Sequence, residues 1–443
     1  MSVVLISTYE LGRQPFGLAS AAAWLRAAAV DVSCQDLSRA PLDEEAVRRA
    51  TLIAFYLPMH TATRLAVPVI DRVRALNPFA RLCAYGLYAP LNAALLRERG
   101  VQTILGGEFE AELQRVATGV VGGAPQPDRV PRLAFVQPDR RGLPPLERYA
   151  TLQTPTGRRI VGYTEASRGC KHLCRHCPVV PIYQGQFRIV PVDVVLADIG
   201  AQVAAGARHI TFGDPDFFNG IGHAVRVVRE LARQFPGVTY DVTIKVEHLL
   251  HHAVHLSTLA ETGCLFVTSA VESIDDQVLE RLQKGHTRAD FERAVTLCRD
   301  AGLALAPTFV AFTPWTTLDG YSDLLQTIED LDLVEHVAPI QLTLRLLICE
   351  GSRLLDLEEI RRLIGPFDRH RLVYPWAHSD PRVDTLQESL ADLVGRRLSA
   401  ERSELFDAIT AVARSQAGRV RTTRRPTARN RATIPYLNEP WYC

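Results

Sequence analysis

Three cysteines within eight residues constrain this chain more than any other feature: Cys170-Lys-His-Leu-Cys174-Arg-His-Cys177, preceded by Tyr163-Thr-Glu-Ala-Ser-Arg-Gly169 and followed by Pro178. Thiolates at the first, fifth and eighth positions of one loop suit three irons of a cubane cluster. No fourth cysteine stands at matching spacing, so one iron is left open to another ligand. Gly169 gives the backbone freedom to wrap round inorganic sulfide. Two other readings exist. Three buried thiols need no metal, and a structural zinc site would be completed by His172 or His176, although such sites usually comprise two separated ligand pairs.

The C-x3-C-x2-C loop and its flanks resemble those of the radical S-adenosylmethionine (radical SAM) superfamily. The resemblance implies a [4Fe-4S] cluster on Cys170, Cys174 and Cys177. It also implies SAM chelated to the open iron, one-electron cleavage of a carbon–sulfur bond to give an organic radical, and an external electron donor of flavodoxin or ferredoxin type.

With 443 residues, 47% of them hydrophobic, the chain can bury large cores in two or three domains. Fifty basic against forty-nine acidic side chains remove any compositional argument for a nucleic-acid or membrane partner. Apart from the loop, Cys34, Cys83, Cys264, Cys298, Cys349 and Cys443 are scattered, which is no disulfide framework and places the chain in a reducing cytoplasm. Met1-Ser-Val-Val-Leu-Ile6 opens a strand without a leader, and no apolar run approaches the ~18 residues of a membrane helix.

Residues 1–120 alternate short apolar runs at 3–6, 31–36, 52–56 and 81–85 with helical patterns at 16–26, 43–49, 61–76 and 91–99, which predicts a Rossmann-like doubly wound sheet. Together with Pro15-Phe-Gly-Leu18, Tyr85-Gly86 and Leu105-Gly-Gly-Glu-Phe-Glu110, this order resembles the cobalamin-binding domain that precedes many radical SAM cores. Cobalamin is then an implied cofactor, and a scaffold that only covers the active site is the alternative. The Asp-x-His-x-x-Gly signature that supplies cobalt with a histidine is absent, Ser7-Thr-Tyr-Glu-Leu-Gly12 standing there instead; His60, after the third strand, is a candidate to approach a ligand. Residues 121–159, with Gly122-Gly-Ala-Pro-Gln-Pro-Asp128, read as a linker.

Residues 160–350 repeat the alternation. Strands are predicted at 209–212, 238–244, 265–271, 304–312 and 340–346, with helices at 193–205, 221–234, 248–262, 275–282, 288–301 and 319–331. This suits a partial (β/α)6 barrel with its chemistry at the carboxyl ends of the strands. Resemblance to the family carries Gly213 and Asp214 to the amino group of SAM, with Asp216 a weaker candidate and an Asx-turn the alternative. Lys245 follows an apolar strand and is a candidate for a carboxylate of SAM or substrate. Glu272-Ser273 resembles the Glu-Ser pair that contacts SAM, and Lys284-Gly-His-Thr287 resembles a stretch recurring after the next helix; Ser273 and Asp275 also read as helix caps. Phe312 and Trp315 offer stacking surface, and Arg345 and Cys349 stand on the substrate side.

Residues 351–413 read as a helical subdomain, with helices at 354–363 and 383–413, and 414–443 as a tail. Arg414, Arg419, Arg421, Arg424, Arg425, Arg429 and Arg431 form a run without acidic neighbours, read as a solvated extension rather than a nucleic-acid contact. Ile434-Pro-Tyr-Leu-Asn-Glu-Pro-Trp-Tyr-Cys443 regains apolar character, as a segment that docks back would. It resembles the end of a radical SAM group named for a Cys-selenocysteine-Ala-Glu-Pro or Cys-Cys-Ala-Glu-Pro tail, and more distantly the radical SAM enzymes of arsinothricin biosynthesis. The resemblance makes Cys443 a catalytic candidate and admits a selenoprotein-like continuation.

The combined expectation is an α/β chain: a Rossmann-like sheet, a partial radical SAM barrel and a mostly helical C-terminal region. It would act on a small-molecule substrate by hydrogen abstraction, by cobalamin-dependent methyl transfer, or by transfer of the 3-amino-3-carboxypropyl group to a soft acceptor such as arsenite. An iron–sulfur sensor is the rival from outside the enzymes.

Overall fold

Val3-Val-Leu-Ile6 and Leu52-Ile-Ala-Phe55 are apolar at consecutive positions, so both faces of each strand need cover, which a parallel sheet between helices provides. The computed structural model describes residues 2–119, 130–154, 157–397, 400–417 and 436–438. It builds a sheet from β1 (Ser2–Ser7), β2 (Asp31–Asp36), β3 (Leu52–Tyr56), β4 (Arg81–Tyr85) and β5 (Thr103–Leu105) in the order β2-β1-β3-β4-β5, every neighbouring pair parallel. Helices Phe16–Ala27 and Glu110–Thr118 bury Leu18, Leu25 and Leu113 on one face, and helix His60–Leu76 buries Ile70 and Val73 on the other. The order reverses between β1 and β3, which opens a crevice beyond their carboxyl ends.

The second sheet begins inside the stretch read as a linker. β6 (Thr151–Thr154) pairs antiparallel with β7 (Gly157–Thr164), while β8 (Ser167–Gly169) and β9 (Phe187–Ile189) form a separate antiparallel pair. β10 (His209–Phe212), β11 (Thr239–Thr243), β12 (Cys264–Glu272) and β13 (Ala304–Phe309) then follow β7 in parallel. The full order is β13-β12-β11-β10-β7-β6-β14, where β14 (Tyr436–Asn438) lies antiparallel to β6. The tail backbone therefore extends the sheet edge. Cys443 and Arg419 to Arg431 lie outside the described residues.

The sixth barrel strand, expected at 340–346, is reduced to one parallel bridge between Phe312 and Arg345. Pro339 has no N–H for a ladder and opens a 3-10 turn over Pro339–Leu342 instead. The helix expected over 383–413 is two, Pro381–Gly395 and Arg402–Ala417, and the one expected at 248–262 is divided into Val246–His251, Ala253–His255 and Leu256–Glu261. Among the described residues no helix is long and apolar enough to cross a membrane, and all eight described cysteines are free.

Candidate functional site

β8 ends at Gly169, whose φ of 75° lies in the left-handed region; a Cβ there would meet the Tyr183 ring and the Gln186 carbonyl. The chain then turns into the cysteine loop, which is fixed from three sides. Asn219 accepts from the Lys171 amide at 3.3 Å and donates to the Gly169 carbonyl at 3.4 Å. The Arg175 amide donates to the Leu282 carbonyl at 2.9 Å, and Arg353 donates to the Leu173 carbonyl at 3.0 Å. Cys170 and Cys174 are buried and Cys177 partly so; burial pushes the Cys177 thiol up to about 12.

The cysteine geometry separates a cluster from a single ion. A zinc ion with bonds of about 2.3 Å to sulfur draws its ligands close together. Among the described residues only Cys170, His172 and Asp216 bring ligand atoms within 4.8 Å of one another, so the three cysteines do not converge on one ion. Three thiolates on one loop suit three corners of a cubane.

Four ionisable groups meet at the carboxyl ends of β11 and β12, facing the loop. Glu272 closes β12 at a break in its register with β13, and its φ of 69° is strained for a residue with a Cβ. Its carboxylate faces His176 Nε2 at 3.0 Å and Lys284 Nζ at 3.3 Å. Burial opposes its ionisation, yet Lys284 and His176 hold it down at about 2. Lys284 is 3% exposed; burial disfavours its charge, but Glu272, Cys174 and Cys177 keep it protonated. Lys245 caps β11 and reaches Glu247 at 3.4 Å. His286 is 7% exposed and has no hydrogen-bond partner at either ring nitrogen, and burial, then Lys284 and Lys245, push it down to about 4. Two buried ammoniums beside an unsatisfied imidazole are the donor chemistry that an amino acid carboxylate requires, so the residues present fit SAM.

Other expected residues take structural places. Asp214 is buried and accepts from the Ala166 amide at 2.9 Å and the Ser167 hydroxyl at 2.6 Å, so it braces the entry to β8. Burial raises its carboxyl to about 7 despite those bonds. Gly213 lies against the Tyr163 hydroxyl, where a Cβ would collide. Gly213→Ala is therefore expected to cost about 1–3 kcal/mol, read as a lower denaturant midpoint at unchanged slope. Ser273 accepts from the Asp275 amide at 3.0 Å, and Asp275 caps helix Asp276–Leu282. His60 faces the Arg371 carbonyl at 2.7 Å. Asp216 instead joins a buried chain: its carboxylate is 2.6 Å from His248 Nδ1, and His248 Nε2 is 3.3 Å from His172 Nε2.

Arg168, two residues before the first cysteine, is the group that sequence reading missed. Its guanidinium meets Glu110 at 2.7 Å, Glu165 at 2.7 Å and Glu108 at 3.7 Å. Tyr183 donates to Glu108 at 2.9 Å and Ser20 to Glu110 at 2.6 Å. This knot ties the loop after β5 to the cysteine loop. Beside it the rings of Tyr56, Tyr85 and Phe109 pack with centroids 4.6 to 6.1 Å apart. These rings pack at the carboxyl edge of the first sheet, the side on which a doubly wound sheet takes its ligands.

Residues 164–328 match the Radical SAM superfamily model. The matched stretch, a Radical SAM domain, contains the cysteine loop together with Lys245, Glu272, Lys284 and His286. In fold the chain is similar to the cobalamin-dependent SAM radical enzyme OxsB, with TM-score 0.69 and 13% identity over 94% of this chain and 71% of that one. It is also similar to the radical SAM methyltransferase TsrM from Kitasatospora setae, with TM-score 0.58 and 16% identity over 94% of this chain and 100% of that one. A tRNA-2-methylthio-N(6)-dimethylallyladenosine synthase from Desulfosudis oleivorans is 27% identical over 203 residues, 42% of this chain and 40% of that protein. The ribosomal protein uS12 methylthiotransferase RimO from Geobacter sulfurreducens is 24% identical over 178 residues, 38% of this chain and 39% of that protein. The chain spans about two fifths of the length of these curated relatives.

Proposed function

We propose that Cys170, Cys174 and Cys177 hold a [4Fe-4S] cluster and that the protein cleaves SAM reductively to start radical chemistry on a small molecule. The observation that carries this reading is one loop presenting three thiols to the strand ends where Lys245, Glu272, Lys284 and His286 gather. The bound cluster supplies the electron that breaks a carbon–sulfur bond of SAM, and a flavodoxin- or ferredoxin-type donor in the cytoplasm replaces it. The chain's own residues do the rest. Asn219, Arg175 and Arg353 hold the loop, and Lys284 offsets the negative charge of Cys174 and Cys177. Lys245 and Lys284 offer cations to the carboxylate of SAM, and apolar strand ends exclude water.

Anaerobic reconstitution followed by reduction and addition of SAM tests the reading. 5′-Deoxyadenosine is the expected fragment, and it is absent from Cys170→Ala. Methylthioadenosine would instead assign transfer of the aminocarboxypropyl group to a soft acceptor, the chemistry that the tail resemblance and Cys443 favour. Neither fragment, with the cluster intact, overturns the proposal.

A further inference from the structure

A cavity of about 260 Å³ opens between the two sheets against the cysteine loop. Tyr88 and Leu91 reach it from beyond β4, His176 and Cys177 from the loop, and Leu346 and Cys349 from the segment after the Phe312–Arg345 bridge. It holds roughly nine water-sized groups. Its charged lining residues are already engaged: Arg345 pairs with Asp384 at 2.6 Å and donates to the Trp376 carbonyl at 2.7 Å, and Glu350 accepts from the Tyr374 hydroxyl. Tyr88 remains, lining the same wall as Cys349, along with His176, whose Nδ1 is buried without a partner while its Nε2 faces Glu272.

We propose that this cavity receives the substrate, a small and largely apolar molecule with one hydrogen-bonding group, and that Cys349 donates a hydrogen atom to a carbon radical formed there. The proposal rests on the radical SAM reading above. Cys264 and Cys298 are packed in the apolar core, whereas Cys349 stands in a cavity wall shared with a cluster-loop cysteine. Burial pushes the Cys349 thiol up to about 11, so it keeps its proton and acts through its weak S–H bond rather than as a nucleophile. In the step a carbon–hydrogen bond forms, the S–H bond breaks homolytically and a thiyl radical is left on Cys349. One electron from the low-potential donor that reduces the cluster, and one proton from solvent, restore the thiol.

Two readouts test this. In cluster-loaded protein without SAM or reductant, held at alkaline pH so that part of the Cys349 thiol ionises, methyl methanethiosulfonate is expected to modify Cys349 but neither Cys264 nor Cys298, and Leu91→Trp, which fills the cavity, is expected to abolish that labelling at unchanged iron content. Failure to label Cys349, or labelling that Leu91→Trp does not reduce, overturns the cavity assignment. In D2O with dithionite and SAM but no substrate, the adenosyl radical takes its hydrogen from the nearest donor. Singly deuterated 5′-deoxyadenosine is expected, with the deuterium lost in both Cys349→Ala and the nearly isosteric Cys349→Ser. 5′-Deoxyadenosine whose deuterium content does not depend on Cys349 overturns the donor role while leaving the radical SAM reading intact. The absence of both 5′-deoxyadenosine and methylthioadenosine from wild type removes the reading itself.

Discussion

Cys174→Ala is expected to reconstitute without a complete cluster, with iron and sulfide content falling and SAM cleavage dropping to the uncatalysed background. Cys174 is buried and sits beside Lys284, which its thiolate and that of Cys177 help to keep charged. Removing it leaves one cluster iron without a protein ligand and Lys284 with less compensation. Cys174→His distinguishes the metal. Zinc accepts imidazole in place of thiolate and would be retained, whereas a cubane held at three corners by thiolates would be lost. Iron and zinc analysis of the two purified variants decides it.

Arg168→Met is expected to destabilise the protein by about 3–5 kcal/mol, because it strips the guanidinium shared by the buried Glu108 and Glu110 and the partly buried Glu165. Cluster content is expected to fall with it, since Cys170 lies two residues away. The sign of the pH dependence follows from the carboxyls. Burial, opposed by Arg168, raises both Glu108 and Glu165 from 4.5 to about 7. In that window the folded state binds more protons than the unfolded one, so their contribution is fully present below 4.5 and declines as pH rises to about 7. Without Arg168 those values rise further, so thermal melts of the variant lose more stability between about pH 5 and pH 8 than the wild type does. Adding Glu110→Gln to Arg168→Met removes one of the stranded charges and is expected to recover part of the loss. An additive double variant would show that Glu110 and Arg168 do not interact.

What could be read along the chain was whatever depends on near neighbours. The spacing of Cys170, Cys174 and Cys177 carries its chemistry within eight residues, and the runs at Val3–Ile6 and Leu52–Phe55 announce buried parallel strands by themselves. Lys245 and Glu272 were legible because each ends an apolar strand, and strand ends are where such a barrel gathers function. Ser273 and Asp275 read as caps for the same local reason; the structure uses Asp275 that way, while Ser273 accepts from the Asp275 amide. The same local reading went astray at 340–346, where the apolar pattern outweighed Pro339.

Asp214 shows where that reading stops. Spacing placed it at a barrel mouth, but whether its oxygens face a ligand or the chain depends on Ala166 and Ser167, almost fifty residues earlier. Arg168 lay beside the motif without a signal of its own, because Ser20, Glu108 and Glu110 reach it only once the first sheet packs on the second. Cys349 was legible as a substrate-side candidate because it follows the last expected strand, but Tyr88 and Cys177 join it only across a cavity. Sequence by itself determined the cysteine loop and the alternation of strands with helices, since those follow from spacing and periodicity, while the expected class of enzyme came from the resemblance of the loop and its flanks. Only the tertiary structure decided which charges are buried together and which thiol lines the cavity against the cysteine loop, because burial and pairing belong to groups that the chain brings together from far apart.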